Sequence, residues 1–148
     1  MPGVAFADVS VGDAVPTLSK EVRRDDIVAY AEASTDVNPL HLDDDFAREK
    51  GFPGMIAHGM FTMAHLTTCL TDCIGDPTGL RSIRVLFRSA VAMGDTIVAG
   101  GTVKALDLEA HEATLEVWVR IDHATDGDEG DGRAEFAIRR SRAVVHLP

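Results

Sequence analysis

From Gly51 to Thr71 the chain runs through GFPGMIAHGMFTMAHLTTCLT without an aspartate, glutamate, lysine or arginine. That length could suit a membrane span, but Pro53, Gly54, His58, Gly59, His65 and four threonines make it a poor one. A buried helix beginning near Ala57-His58-Gly59-Met60 fits better. Its apolar residues Met60, Phe61, Met63, Ala64, Leu66, Cys69, Leu70, Cys73 and Ile74 keep to no narrow stripe, the pattern of a helix covered on most sides. Something must wrap it.

The second half supplies the wrapper. RVLFRSAV (84–91), TIVAGGTVKAL (96–106), ATLEVWVRI (113–121) and AEFAIRRSRAVVHL (134–147) are β-branched or alternating runs separated by AMGD, DLEAHE and HATDGDEGDG. In the third run Leu115, Val117, Val119 and Ile121 alternate with Glu116, Trp118 and Arg120. A four-strand antiparallel meander is expected. The acidic DGDEGDG is expected to be a long hairpin loop, because an EF-hand starting at Asp126 would need an oxygen ligand where Gly130 stands and a glutamate where Ala137 stands.

Upstream, VPTLSKEV predicts a short strand, and RRDDIVAYAEAS an amphipathic helix started by Asp25 or Asp26. The run DDDFAREKG carries acids first, Arg48 and Lys50 last, and Gly51 as a stop, the charge order that suits a second helix. The fold class is therefore α+β, with one central helix against a curled antiparallel sheet. No repeat or linker interrupts residues 1–148, whose length suits one core and a single domain.

Between the first two helices lies STDVNPLHLDDDFA (34–47). Asn-Pro alone would make the turn, since proline fixes φ and pushes its predecessor into an extended conformation. Nothing in turn chemistry requires Asp36 and His41. A carboxylate and an imidazole five residues apart could converge on one small molecule and hold or activate water, with Asn38 orienting the histidine or fixing the loop. The bland alternative is a set of solvated turn residues. At the helix start, the Gly59 amide could donate to a developing oxyanion. Close packing is the alternative for Gly59, and a hydrogen-bonded core position is favoured for His58.

Charge and cysteine content narrow the field. A formal charge of −10, from 14 Lys plus Arg against 24 Asp plus Glu, argues against a nucleic-acid binder. The N-terminal MPGVAFADVSVGDAVP lacks the pattern of a secretory signal, so a cytoplasmic protein without membrane association is expected, with Cys69 and Cys73 as free thiols. His65, Cys69 and Cys73 share a helical face, but no fourth ligand is apparent and buried cysteines are common in cores, so no metal is expected. Arg81, Arg84 and Arg88, with Arg139, Arg140 and Arg142, form two basic clusters. They are either sheet-surface ion pairs or a landing site for phosphates.

The stretch YAEASTDVNPLHLDDDFA closely resembles the hydratase-2 signature of MaoC-like enzymes, the (R)-specific enoyl-CoA hydratases and (3R)-hydroxyacyl-ACP dehydratases. Tyr30, Ser34, Asp36, Asn38, Pro39, Leu40, His41 and Ala47 stand in register with it. Thr35 departs, where the family usually has glycine, and is expected to tighten the approach to Asp36. PGMIAHGMFTMAHL resembles the family's central-helix segment, and AMGDTIVAGGTV its Gly-Asp turn and following strand. In length and in its AHGM-x-TM run the chain is most similar to the β subunit of mycobacterial-type (3R)-hydroxyacyl-ACP dehydratases.

The resemblance implies a single hotdog fold, paired as a homodimer or with another hotdog subunit. Asp36 and His41 would be the catalytic pair, Asn38 would support their geometry, and Gly59 would be the oxyanion donor. Tyr30, Pro39, Ala57, His58, Met60 and Ala64 are candidate substrate contacts, with Arg84 and Arg139 for the carrier's phosphates. Ala64 stands where some family hydratases place a serine. The implied reaction is reversible hydration of a trans-2-enoyl thioester, or dehydration of a (3R)-hydroxyacyl thioester, in fatty-acid or polyketide-type metabolism. It needs no metal or redox cofactor, the carrier being coenzyme A or the phosphopantetheine of an acyl carrier protein. A non-catalytic partner subunit is one alternative. A hotdog thioesterase is less favoured, because residues 51–71 lack the Asp or Glu such enzymes typically carry there.

Overall fold

A computed structural model describes residues 3–124 and 134–148, so the hairpin reading of DGDEGDG lies outside the described residues. The elements are β1 (Ala14–Glu21), α1 (Arg24–Ser34), α2 (Pro39–Leu42), α3 (Asp44–Glu49), α4 (Gly59–Ile74), β2 (Leu80–Arg84), β3 (Thr96–Asp107), β4 (Glu112–Asp122) and β5 (Glu135–His146). Among the described residues, no helix is long and apolar enough to cross a membrane.

The charge-free run becomes α4, starting at Gly59 and stopping at Gly75, whose positive φ of 78° suits glycine. Leu66, Cys69, Leu70 and Ile74 pack against Val15, Ile97, Ala99, Val117, Val119 and Ile138 of the sheet. Its interior threonines return their hydroxyls to the helix: Thr67 donates to the Met63 carbonyl at 3.0 Å and Thr68 to that of Ala64 at 3.1 Å. The helix is covered on most sides, as its apolar pattern predicts, and after Gly59 only a single stripe through Met60, Ala64, Thr68 and Asp72 is exposed.

The sheet is antiparallel with strand order β1-β3-β4-β5-β2. Two expectations need correction. The strand placed at 84–91 is β2 at Leu80–Arg84, and the meander includes only β3, β4 and β5, with β2 on the far edge beside β5. A bulge in β5 accounts for the first. The register passes from Val117↔Ser141 to Val119↔Ile138, so Arg139 and Arg140 together oppose the single Trp118, one extra residue on β5, and Arg140 takes a positive φ of 54°. Ser141 Oγ there accepts the Leu86 amide at 2.9 Å in place of a ladder bond. The chain beyond Arg84 therefore peels away, returning to β5 at one isolated bridge, Phe87↔Ile138.

Local capping sets the helix ends. Asp26 acts from inside α1, its carboxylate accepting the Arg23 amide at 3.3 Å, so the start lies slightly earlier than Asp25 or Asp26 suggested. Asp43 caps α3 by accepting from Asp45 and Phe46.

The end of β4 and the start of β5 are joined by charge. His123 joins buried Asp95 through Nδ1 at 3.1 Å and Glu135 through Nε2 at 2.6 Å. The Glu135 bond, followed by Asp95, raises the His123 pKa above its ordinary 6.5, and the His123 bond lowers that of Glu135 below 4.5. The raised imidazole contributes fully below its unfolded value and loses that contribution as pH rises through the folded one. For the depressed carboxylate the loss comes as pH falls. Half-exposed pairs of this kind contribute about 1 kcal/mol or less, which corresponds to about 2–4 °C in a chain of this size. His123→Gln is expected to lower Tm by that amount near pH 5.5 and by less at pH 8.5. Equal shifts at both pH values in thermal melts would show that the clasp does not titrate.

Candidate active site

The loop after α1 is built by successive local side-chain bonds. Thr35 closes α1 in the left-handed region, φ 61°, where a glycine would be relaxed, which gives the Thr35 departure its physical meaning. Ser34 Oγ accepts the Asp36 amide at 3.2 Å, Asp36 Oδ1 the Asn38 amide at 3.4 Å, and Asn38 Oδ1 the Leu40 amide at 3.0 Å. These bonds lead into α2, a single turn that the sequence pattern did not predict, with Pro39 at its first position. Of the two tasks considered for Asn38, the geometry shows the second: it caps the turn that carries His41. The His41 amide donates to the Asn38 carbonyl at 2.9 Å.

The His41 ring is held from the other side by Nδ1, 2.7 Å from the Ile56 carbonyl oxygen. A carbonyl can only accept, so Nδ1 carries the proton and Nε2 the lone pair. His58 is 2% exposed and its Nε2 lies 2.9 Å from the Asp36 carbonyl oxygen, which places the proton on Nε2 by the same reasoning. Its Nδ1 is buried with no partner among the described residues. The two rings stack 3.7 Å apart at 25°, and Tyr30 tilts against His58 at 4.9 Å and Phe61 at 5.8 Å.

One polar atom from each of Asp36, His41 and His58 lies within 4.8 Å of the others. Two imidazoles and a carboxylate could hold a metal, and these three residues are the set that would do it. Near-parallel rings, however, direct their in-plane lone pairs side by side rather than at a common point, and His58 Nδ1 is covered. The arrangement suits proton transfer at Asp36 and His41 better than coordination.

The segment supplying the Ile56 carbonyl is itself clamped. The Met55 amide donates to Asp44 Oδ1 at 2.9 Å, the Ile56 amide to the Leu40 carbonyl at 3.1 Å and the Ala57 amide to the Val91 carbonyl at 2.8 Å. Gly54 permits this approach, because a Cβ there would meet Asp44 Oδ1 at 2.9 Å. The Met55 amide, with the adjacent Arg24 guanidinium, holds the Asp44 carboxyl below the usual range. Asp44 and the Ile56 carbonyl were missed in the sequence. The first could be read only as one acid in a helix-starting run, and a main-chain oxygen has no residue signature.

At the start of α4, Phe61 and Thr62 donate to the His58 carbonyl, leaving the Gly59 and Met60 amides without an acceptor among the described residues. The Phe87 ring lies over Gly59, 3.3 Å from where a Cβ would stand. The other candidates are dispersed. Ala57 is buried, Met60 is 54% exposed, and Ala64 lines an open groove with Tyr30, Phe61, Leu18 and Thr68.

The arginines gather on the β5 bulge and the β2 edge. Arg84 stands opposite Arg142, and the Arg139 guanidinium sits 4.8 Å from the Phe136 ring and beside Arg88 and Arg140. The ion-pair alternative is met by Arg81, which reaches Glu112 at 3.7 Å; among the described residues, the others have no carboxylate at that range. Arg139 neighbours Ile138, the bridge partner of Phe87, whereas none of the contacts described brings Arg84 to the loop. His65 and Cys69 use their polar atoms on strand carbonyls, His65 Nε2 at 2.9 Å from Leu18 and Cys69 Sγ at 3.3 Å from Pro16. Burial pushes the Cys69 thiol up to about 11.

The loop, the helix and the sheet together define a class. The MaoC-like domain family matches residues 7–125, and the chain belongs to that family. It is 33% identical over 111 residues to the 3-hydroxybutyryl-CoA dehydratase of Methylorubrum extorquens, covering 74% of this chain and 70% of that one. A solved MaoC-like dehydratase superposes with a TM-score of 0.83 at 30% identity over 99% of this chain; the chain spans 43% of that protein. The (R)-hydratase from A. caviae involved in PHA biosynthesis superposes with a TM-score of 0.79 at 28% identity, covering 95% of this chain and 98% of the other. The architecture is the hotdog fold, a five-stranded antiparallel sheet around a central helix.

Proposed function

We propose that this protein hydrates trans-2-enoyl thioesters reversibly, or dehydrates (3R)-hydroxyacyl thioesters, with Asp36 and His41 as the reacting pair. The observation that carries the reading is the approach of the two side chains on the loop, with His41 fixed in the tautomer that leaves Nε2 bare. Relatives named as a 3-hydroxybutyryl-CoA dehydratase and an (R)-hydratase support it.

Both groups accept hydrogen bonds, so a water between them donates to each. As its oxygen bonds to C3, one of the pair takes a water proton; that same proton is then passed from the pair to C2 on the same face, which returns both groups to their starting state. The Gly59 amide, at the positive end of α4, stabilises the enolate-like thioester oxygen that forms meanwhile. Tyr30, Pro39, Ala57, Met60 and Ala64 border the acyl thioester and His58 supports the pair from beneath. Arg139, and Arg84 through the same basic edge, receive phosphates of coenzyme A or of a carrier protein's phosphopantetheine.

Residues 1–148 work as one cytoplasmic hotdog unit paired with a second, either its own copy or a different subunit, as in the mycobacterial-type dehydratases its β-subunit-like sequence resembles. The unpaired outer edges of β1 and β2 and the exposed stripe of α4 favour such pairing. The test is loss of the enoyl-thioester absorbance when purified protein meets crotonyl-CoA, a medium-chain enoyl-CoA and the matching acyl-carrier substrates. Turnover on any of them supports the reading. A protein inert towards all of them, alone and with candidate hotdog partners, would remove it.

A further inference from the structure

The catalytic loop has few attachments to the rest of the protein. Residues 32–39 are all exposed, and the hydrogen bonds made by Asp36 and Asn38 among the described residues otherwise stay within residues 34–41. The exception runs from His58 Nε2 to the Asp36 carbonyl oxygen, 22 residues away in sequence and 2.9 Å long. The same ring lies flat beneath His41 at 3.7 Å. It is 2% exposed and lies against Tyr30, so it is the most enclosed of the three groups.

We propose that His58 is a positioning residue, which tethers the Asp36 main chain with its Nε2–H and fixes the plane of His41 with its face. Burial suits that task. A ring that is 2% exposed offers substrate little, and its Nδ1 has no partner among the described residues, so the one hydrogen bond this side chain makes there is the bond to the loop. Leaving a buried acceptor unpaired is unfavourable, so the position is explained by what Nε2 and the ring face do. Without the tether, Asp36 would depend on an exposed loop held by its own short-range caps. Displacements near 1 Å can cost about a hundredfold in rate.

The inference rests on the hydratase reading, and its test separates the two. His58→Phe keeps a flat ring but removes the donor; His58→Gln places an amide N–H near the position of Nε2. The readouts are backbone order parameters of Asp36, Val37 and Asn38 from ¹⁵N relaxation, and kcat and KM on an enoyl-CoA. In the parent the loop is expected to show the order of a rigid backbone, about 0.85, and in His58→Phe to fall below about 0.6. With it kcat falls roughly 10–100-fold while KM stays within about twofold, the pattern of lost positioning rather than lost binding. His58→Gln restores loop order and most of kcat. A loop equally ordered in His58→Phe and parent, or equal losses in both variants, overturns the proposal. If the parent shows no hydratase activity, the functional reading alone falls, and the order parameters still decide the tether.

Discussion

Asp36→Asn and His41→Asn each lower turnover of a trans-2-enoyl thioester by about 10²–10⁴-fold, the usual contribution of a positioned acid or base. Both substitutions spare the surrounding bonds. An asparagine at position 36 still offers an oxygen to the Asn38 amide, and an asparagine at position 41 places an N–H near the Nδ1 position, facing the Ile56 carbonyl. Melting temperature should therefore move little. Because the two residues are proposed to hold the same water, the double variant is expected to lose little more than the worse single one. Additive losses in the logarithm of the rate would mean that they act in separate steps. Retention of more than about a tenth of the activity in either single variant would take that residue out of the reacting pair.

Gly59→Pro lowers kcat by about 10²–10³-fold, while Gly59→Ala stays within about tenfold of the parent. The amide of residue 59 stands at the first position of α4, where no helical acceptor waits for it. Proline is favoured there, and the preceding residue, His58, already has the extended φ of −61° and ψ of 140° that proline demands. The helix should therefore tolerate the exchange. Either substitution puts a Cβ 3.3 Å from the half-exposed Phe87 ring, which can shift by a few tenths of an ångström. Alanine makes the same Cβ contact with the N–H retained, whereas proline replaces the N–H by its ring Cδ, so the difference between the two variants reports the loss of the oxyanion donor together with the ring that takes its place. Equal rates in the proline and alanine variants would assign the thioester oxygen to another donor.

What was legible in the sequence follows from which interactions leave a residue signature. The charge-free run marked α4, the alternation at 113–121 marked β4, and the acid and base around Asn-Pro marked the loop, because each depends on side-chain type. β2 and the strand order were read incorrectly for the opposite reason. The β5 bulge rests on the backbone of Arg139 and Arg140, and the bond that peels residues 85–91 away is made by a serine that could equally face solvent. The short turn α2 hid behind Asn-Pro, which serves a bend and a helix start alike. The site divides along the same line: Asp36 and His41 stand out by type, whereas the Ile56 carbonyl that sets the His41 tautomer could come from any residue. The stacking of His58 beneath His41 depends on bringing residues 41 and 58 together, which the clamp by Asp44 accomplishes.

The order of elements along the chain also matters during synthesis. Every group proposed to act on substrate, apart from the arginines, precedes the end of α4 at Ile74, while the strands that cover that helix finish with β5 at His146. At ~5–20 residues per second, roughly seventy further residues take about 4–14 s to emerge from the ribosome. Throughout that interval the apolar side of α4, with Leu66, Leu70 and Ile74, has β1 but not β3, β4 or β5 to cover it. A nascent chain halted after residue 75 would display that surface to chaperones, and the helix that places the oxyanion donor is then the segment they bind.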